Sequence, residues 1–134
     1  MGRVIAARLR SGDLLREEIQ AIAAKEGIAA GVILSAVGSL ASVTLRMAGA
    51  KDQRTWEEEL EIVSITGTVS ATDCHIHLAV SREDGSVVGG HLSPGAIVRT
   101  TAEITIQKLD TIRFDREPDP ETGYDELVVR NLGE

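Results

Sequence analysis

"HIHLAVSREDGSVVGGHL", residues 75–92, holds every histidine of the chain. It reads as two strands folded back on one another. The first arm alternates polar and aliphatic side chains, Asp84-Gly85 is a strong two-residue turn signal, and "VVGGHL" returns along the first arm. Side chains two apart on a strand share a face, so His75 and His77 project together, while Ile76, Leu78 and Val80 supply the buried side. A hairpin of this kind makes an antiparallel sheet the expected architecture.

The returning arm poses a question of register. Strict pairing across Asp84-Gly85 sets Glu83 opposite Ser86 and Leu78 opposite His91, which turns His91 to the face away from the other two histidines. A one-residue bulge at Gly89-Gly90, or a slightly longer loop at the turn, returns His91 to their side. Three neutral imidazoles on one face can hold an ion at roughly 2.0–2.1 Å and leave a position open for water or substrate, the arrangement of catalytic zinc; cobalt and nickel suit the same donors. The plainer reading is a pair of half-exposed polar residues on the solvent side of an amphipathic strand. Asp73 and Glu103 are candidate further ligands, and the spacing does not select between them.

Working outward, "EELEIVSITGTVSA" alternates with Leu60, Ile62, Ser64 and Thr66 on one side and Glu61, Val63 and Ile65 on the other, a strand covered on both faces in its middle. "TTAEITIQKLD" is a strand with Ala102, Ile104 and Ile106 on one face. "AAGVILSAVGSLASVTLRMA" reads as two strands joined by a tight connection at Gly38-Ser39, and "GAKDQRTWEE" as a polar loop. "RVIAARLR" is a short strand. A helix is expected over 13–26, with Asp13 near its cap, Glu17 and Glu18 in the first turn, Leu15, Ile19 and Ile22 at helical spacing, and Gly27 as its stop. Strands in this number with one helix cannot make alternating βαβ units. The fold class is therefore α+β: a largely antiparallel sheet with one main helix packed on it, in a single compact domain over 1–116. Residues 117–134 are acidic and carry two of the three prolines; they read as a tail, with "ELVVR" as a short edge strand.

Composition narrows the function. A chain of 134 residues supports one core. Its 14 Lys and Arg against 21 Asp and Glu give a net charge of −7, and no segment forms a basic stripe, so the counterion release that drives nucleic-acid binding is lacking. Arg3, Arg8, Arg10 and Arg16 are followed at once by Glu17 and Glu18, the pattern of a solvated face, as is the run Glu57 to Glu59. The apolar runs are too short to cross a bilayer and "MGRVIAARLR" lacks the form of a signal peptide, which leads to the expectation of a cytoplasmic protein. Cys74 is the only cysteine; adjacent to His75 on a strand, it points to the opposite face, which argues for a small core residue and against a Cys-His pair. Phosphate-loop, dinucleotide and nucleophile-elbow motifs do not occur.

The succession "GVILSAVGSLASVTLR", "LEIVSITGTVS", "HIHLAVSREDGSVVGGHL" and "AEITI" resembles the PPC (plants and prokaryotes conserved) domain over residues 3 to 108, most specifically in the His-x-His and Gly-Gly-His-Leu elements. The resemblance implies a homotrimer, with zinc in some prokaryotic members on the histidines that match His75, His77 and His91. Stand-alone members often carry a DNA-binding label, but this chain has no Arg-Gly-Arg-Pro hook, and its net charge of −7 makes DNA binding by the chain alone an unfavourable expectation. The plant domains' partner segment aligns with Glu58 to Val63, which keeps the Glu-Ile and loses the Gly-Arg-Phe. Two functions follow: a trimeric binding or regulatory module with a structural or ligand-receiving metal, or a small metal-dependent enzyme in which Glu103 or Asp73 acts as general base toward a metal-activated water.

Overall fold

The computed structural model describes residues 2–133. In chain order its elements are β1 (Val4–Arg10), α1 (Leu15–Lys25), β2 (Gly31–Arg46), β3 (Gln53–Trp56), β4 (Leu60–Val69), β5 (Cys74–Ser81), β6 (Val87–Leu92), β7 (Ile97–Lys108), β8 (Ile112–Pro118) and β9 (Asp125–Asn131). Every strand pairing is antiparallel, as expected for an α+β chain. The main sheet runs β1-β7-β2-β4-β5-β6, with β3 added to β2.

The central strand differs from the sequence expectation. Instead of two strands broken at Gly38-Ser39, residues 31–46 form one strand that bends through three register shifts against β7. Glycine is required at position 38 by close approach: a Cβ there would overlap the Thr101 carbonyl oxygen. The bend lets β2 serve two neighbourhoods. Its first part lies between β7 and β4; at its far end Leu45 pairs with Arg54 of β3 and with Leu92 of β6. Strands β2, β4, β5 and β6 thus close a circuit around an aliphatic interior that includes Leu40, Val43, Leu45, Leu60, Ile76 and Leu92. The polar stretch "QRTW", expected as loop, is held as a strand by this pairing and by a 2.8 Å hydrogen bond between the Thr44 and Thr55 hydroxyls. In β4 a shift between Ile62 and Ser64 inserts an extra residue, so Leu60, Ile62 and Ile65 are buried while Val63 faces out; strict alternation is broken there.

Helix α1 buries Leu15, Ile19 and Ala23 and packs on β5 and β7. Asp13 does not cap it. Its carboxylate accepts from the Arg10 N–H at 2.8 Å and tightens the turn out of β1, and Leu14 holds the cap position. Gly27 ends the helix in the left-handed region. Arg16 donates to the Cys74 carbonyl at 3.3 Å and Gln20 to the Ser70 carbonyl at 2.8 Å, tying the helix to the entry of β5. The acidic end of the chain is ordered: "ELVVR" lies in β9, which pairs with β8 as a separate two-stranded ribbon, and the expected boundary at 116/117 falls inside β8. Residue 134 of the expected tail lies outside the described residues. No helix among the described residues is long and apolar enough to cross a membrane.

Candidate metal centre

Strand β5 alternates as its sequence requires, with Cys74, Ile76, Leu78 and Val80 buried and His75 and His77 on the outer side. Burial pushes the Cys74 thiol up, consistent with a packed, unreactive side chain. The register question is resolved by the longer loop. Ser81 pairs with Val87 and every pair down to His77↔His91 follows without a shift, so Gly89-Gly90 is not a bulge. The extra residue lies in the turn: Gly85 donates to the Arg82 carbonyl at 2.9 Å, adopts a left-handed φ of 84°, and the Arg82 N–H meets the Ser86 carbonyl at 2.8 Å. A three-residue loop with glycine last thus replaces the two-residue turn. The Asp84 carboxylate fixes it by accepting from the Ser86 N–H and hydroxyl at 2.9 and 2.6 Å.

Gly90 serves a different purpose from the one its sequence context suggests. A Cβ at this position would stand 2.6 Å from the Arg46 carbonyl oxygen and 3.2 Å from the Leu45 Cβ, so glycine is what allows β6 to lie against the end of β2. That contact brings Arg46 opposite His91.

His91 faces His77 directly across the β5–β6 ladder and His75 on the diagonal, which makes a triangle of imidazoles. Their ring centroids are 5.0 Å (His75–His77), 5.1 Å (His75–His91) and 5.7 Å (His77–His91) apart. One nitrogen from each lies within 4.8 Å of the others. Tetrahedral donors on an ion at roughly 2.0–2.1 Å stand about 3.4 Å apart. The most enclosed of the three carries the sign of a missing partner: His91 Nδ1 is buried with no hydrogen-bond partner. Burial, followed by the Arg46 guanidinium, pushes the His91 imidazole down to about 4, and burial followed by His77 lowers His75. Both rings are thereby kept neutral, the form that ligates metal. The donor set fits a divalent ion of the zinc, cobalt and nickel group.

The two carboxylates named as further ligands are placed differently. Glu103 lies on β7, in register with Arg8 of β1 and Val37 of β2, away from the histidines. Asp73 borders the cleft beside His75 but is held by Arg116 of β8 at 3.0 Å. Neither belongs to the three-histidine cluster. Three arginines that sequence spacing did not single out for this site, Arg16 of α1, Arg46 of β2 and Arg116 of β8, border the same cleft as His75 and His91. They come from elements 30 to 100 positions apart, so no local pattern joins them.

This hairpin and sheet are those of a known domain family. The chain belongs to the Plants and Prokaryotes Conserved (PCC, also written PPC) domain family, whose model matches residues 1–110. A hypothetical protein of Salmonella cholerae-suis has the same fold with a TM-score of 0.94 at 37% identity, covering 98% of this chain and 95% of its own. A metal-containing protein of Archaeoglobus fulgidus superposes with a TM-score of 0.82 at 30% identity, over 95% of this chain and 94% of its own. A plant- and prokaryote-conserved protein of Pyrococcus horikoshii gives 0.76 at 27%, over 92% and 90%. In sequence, the chain is 42% identical over 132 residues to a protein of Synechococcus sp. (strain JA-3-3Ab) named bifunctional protein GlmU; that match covers 98% of this chain and 21% of the relative. The chain thus spans about a fifth of the length of the curated relatives it matches.

Proposed function

We propose that the chain is a homotrimeric, cytoplasmic binding or regulatory module in which His75, His77 and His91 hold a zinc ion. The observation that carries this reading is the convergence of the three imidazoles, together with a buried, unpartnered Nδ1 on one of them, His91. The metal in the Archaeoglobus relative supports it, and the donor chemistry suits zinc. Bound there, the ion would supply Lewis acidity and an open coordination position. The protein's own residues set its surroundings: the β5–β6 register aims the rings, and the burial of His91 with Arg46 opposite keeps its imidazole neutral.

The reading as a water-activating enzyme needs a carboxylate base beside the ion. Of the two carboxylates that the sequence offered as base, Glu103 lies in register with β1 and β2 and Asp73 is engaged by Arg116, so neither of these two serves in that role. Threefold assembly is supported by the family resemblance and by the aliphatic side chains Leu34, Val37 and Val63 standing exposed on β2 and β4. With its net charge of −7, the chain is not proposed to bind DNA alone. Elemental analysis of the purified protein, coupled to light scattering, tests both parts. The expected result is one zinc per chain in a particle of three times the 14.3 kDa chain mass. A metal-free protein that takes up no zinc when it is supplied refutes the first part, and a monomer across micromolar concentrations the second.

A further inference from the structure

The three-histidine cluster has an unusual electrostatic setting. Arg46 stands opposite His91 in the β2–β6 pairing, is half-buried, and makes no ion pair among the described residues. Arg16, also half-buried, spends one N–H on the Cys74 carbonyl and likewise has no carboxylate partner among the described residues. Both guanidinium charges reach the His91 ring. A divalent ion on three neutral imidazoles brings no anionic ligand of its own, so its two charges and those of Arg16 and Arg46 would outnumber the two carboxylates without an ion pair among the described residues, Asp125 and Glu126, that border the cleft. Such a concentration of positive charge in a partly dehydrated place is costly until an anion offsets it.

The surroundings restrict that anion. The cleft beside His75 and His91, about 600 Å³, also carries Asp73, Asp125 and Glu126 on its border; Asp73 is neutralised by Arg116, while the other two repel additional negative charge. A second cleft of about 690 Å³ joins it at Arg46, Ala50, His91 and Tyr124, and is lined further by the apolar side chains Met47, Ala48 and Ala79, with Ser64 and Thr66 of β4. One negative charge and a short apolar body match this division.

The geometry points to a receptor for a small aliphatic monocarboxylate: the carboxylate spans the ion on the histidines and the Arg46 guanidinium, Arg16 adds to the field, and the hydrocarbon part lies toward Met47 and Ala48. This rests on the metal reading above. A guanidinium offers two parallel donors to a carboxylate, which suits it to this bridging position.

The probe is isobutyrate, with the neutral isostere isobutyramide and inorganic phosphate as controls, titrated into cobalt-loaded protein while its visible absorption is followed. Isobutyrate is expected to change the spectrum in a saturable way, and isobutyramide to leave it unchanged. Arg46→Gln is expected to retain cobalt and to weaken isobutyrate by about tenfold or more, the worth of one charge-assisted hydrogen bond; Arg46→Lys, which keeps the charge and loses the fork, falls between. An unchanged spectrum in the wild type, an unchanged affinity in both Arg46 variants, or phosphate binding as tightly as isobutyrate overturns the proposal. If cobalt is not taken up, the metal reading fails on its own and calorimetry of the metal-free protein decides the rest. Arg46-dependent heat with isobutyrate keeps the anion site, and its absence removes that too.

Discussion

Replacing Gly90 by alanine tests whether close packing of β6 on β2 is what builds the site. The added methyl would start 2.6 Å from the Arg46 carbonyl oxygen, about 0.4 Å inside the 3.0 Å that Cβ atoms essentially never cross, and it would also press on the Leu45 Cβ at 3.2 Å and the Met47 terminal methyl at 3.3 Å. Backbone must move, and the pairs Leu45↔Leu92 and Arg46↔His91 are the ones that give way. Overpacking of this kind costs about 1–3 kcal/mol. Gly89→Ala is the matched control, because its methyl would meet nothing closer than the Leu78 carbonyl oxygen at 3.1 Å. The loss of glycine's unfolded-state freedom, worth about 0.4–1 kcal/mol, is common to both and cancels in the comparison. Gly90→Ala is therefore expected to be less stable than Gly89→Ala by about 1–3 kcal/mol, a gap in Tm of at least about 3 °C for a chain of this size. The assay is thermal unfolding of both variants at one protein concentration, since the proposed assembly would make Tm concentration-dependent. It is accompanied by zinc titration, in which only Gly90→Ala should weaken the metal as His91 is displaced. Equal stabilities would refute the close-approach argument.

Neighbouring residues on β5 should give opposite phenotypes. His77→Ala should abolish stoichiometric zinc binding and change the stability of the metal-free protein by less than about 0.5 kcal/mol, whereas Ile76→Ala, on the fully buried side, should cost about 2–5 kcal/mol; both are read from urea unfolding with and without metal. Acid should destabilise the metal-free protein: His91 titrates at about 4 when folded, against roughly 6.5 when unfolded, so between these values the unfolded chain binds more protons and stability falls as pH falls. The lowered His75 acts in the same direction, and His91→Gln should flatten the slope of urea midpoint against pH; an unaltered slope would count against a depressed His91. Saturating zinc at a hundred times its Kd should raise unfolding free energy by about 2.7 kcal/mol, and a chelator should reverse the gain.

Much of this architecture follows from local pattern. The helix, the buried faces of β5 and β7 and the pairing of His75 with His77 rest on periods of 3.6 and 2, which the sequence displays directly. What local pattern did not reveal depends on partners distant in the chain. Gly38-Ser39 looks like a break until Thr101 is seen to press on it. "QRTW" has no apolar period and becomes a strand through its pairing with the end of β2, and the β4 bulge brings Ile65 to the buried side of Leu60 and Ile62 against a pattern that alternates on paper. The ribbon of β8 and β9 hid in an acidic segment whose charges pair across strands, Arg130 with Asp115 and Glu117. At the candidate site, two histidines were fixed by spacing and the third depended on one residue of loop length. The arginines around them arise from long-range register alone.

The closed circuit of β2, β4, β5 and β6 also bears on how copies of this protein would meet in the proposed trimer. A strand flanked on both sides has no unpaired amides with which to recruit another chain. The free margins of the main sheet fall to β1, which exposes Arg8 and Arg10, to β3, four residues long and followed by Glu57 and Glu59, and to the short stretch of β6 before His91. Charge and brevity at these margins discourage runaway strand addition, and therefore fibrils. The proposed trimer would then rest on side chains on the outside of the sheet, a route that ends at a fixed number of subunits when the contacts close a ring.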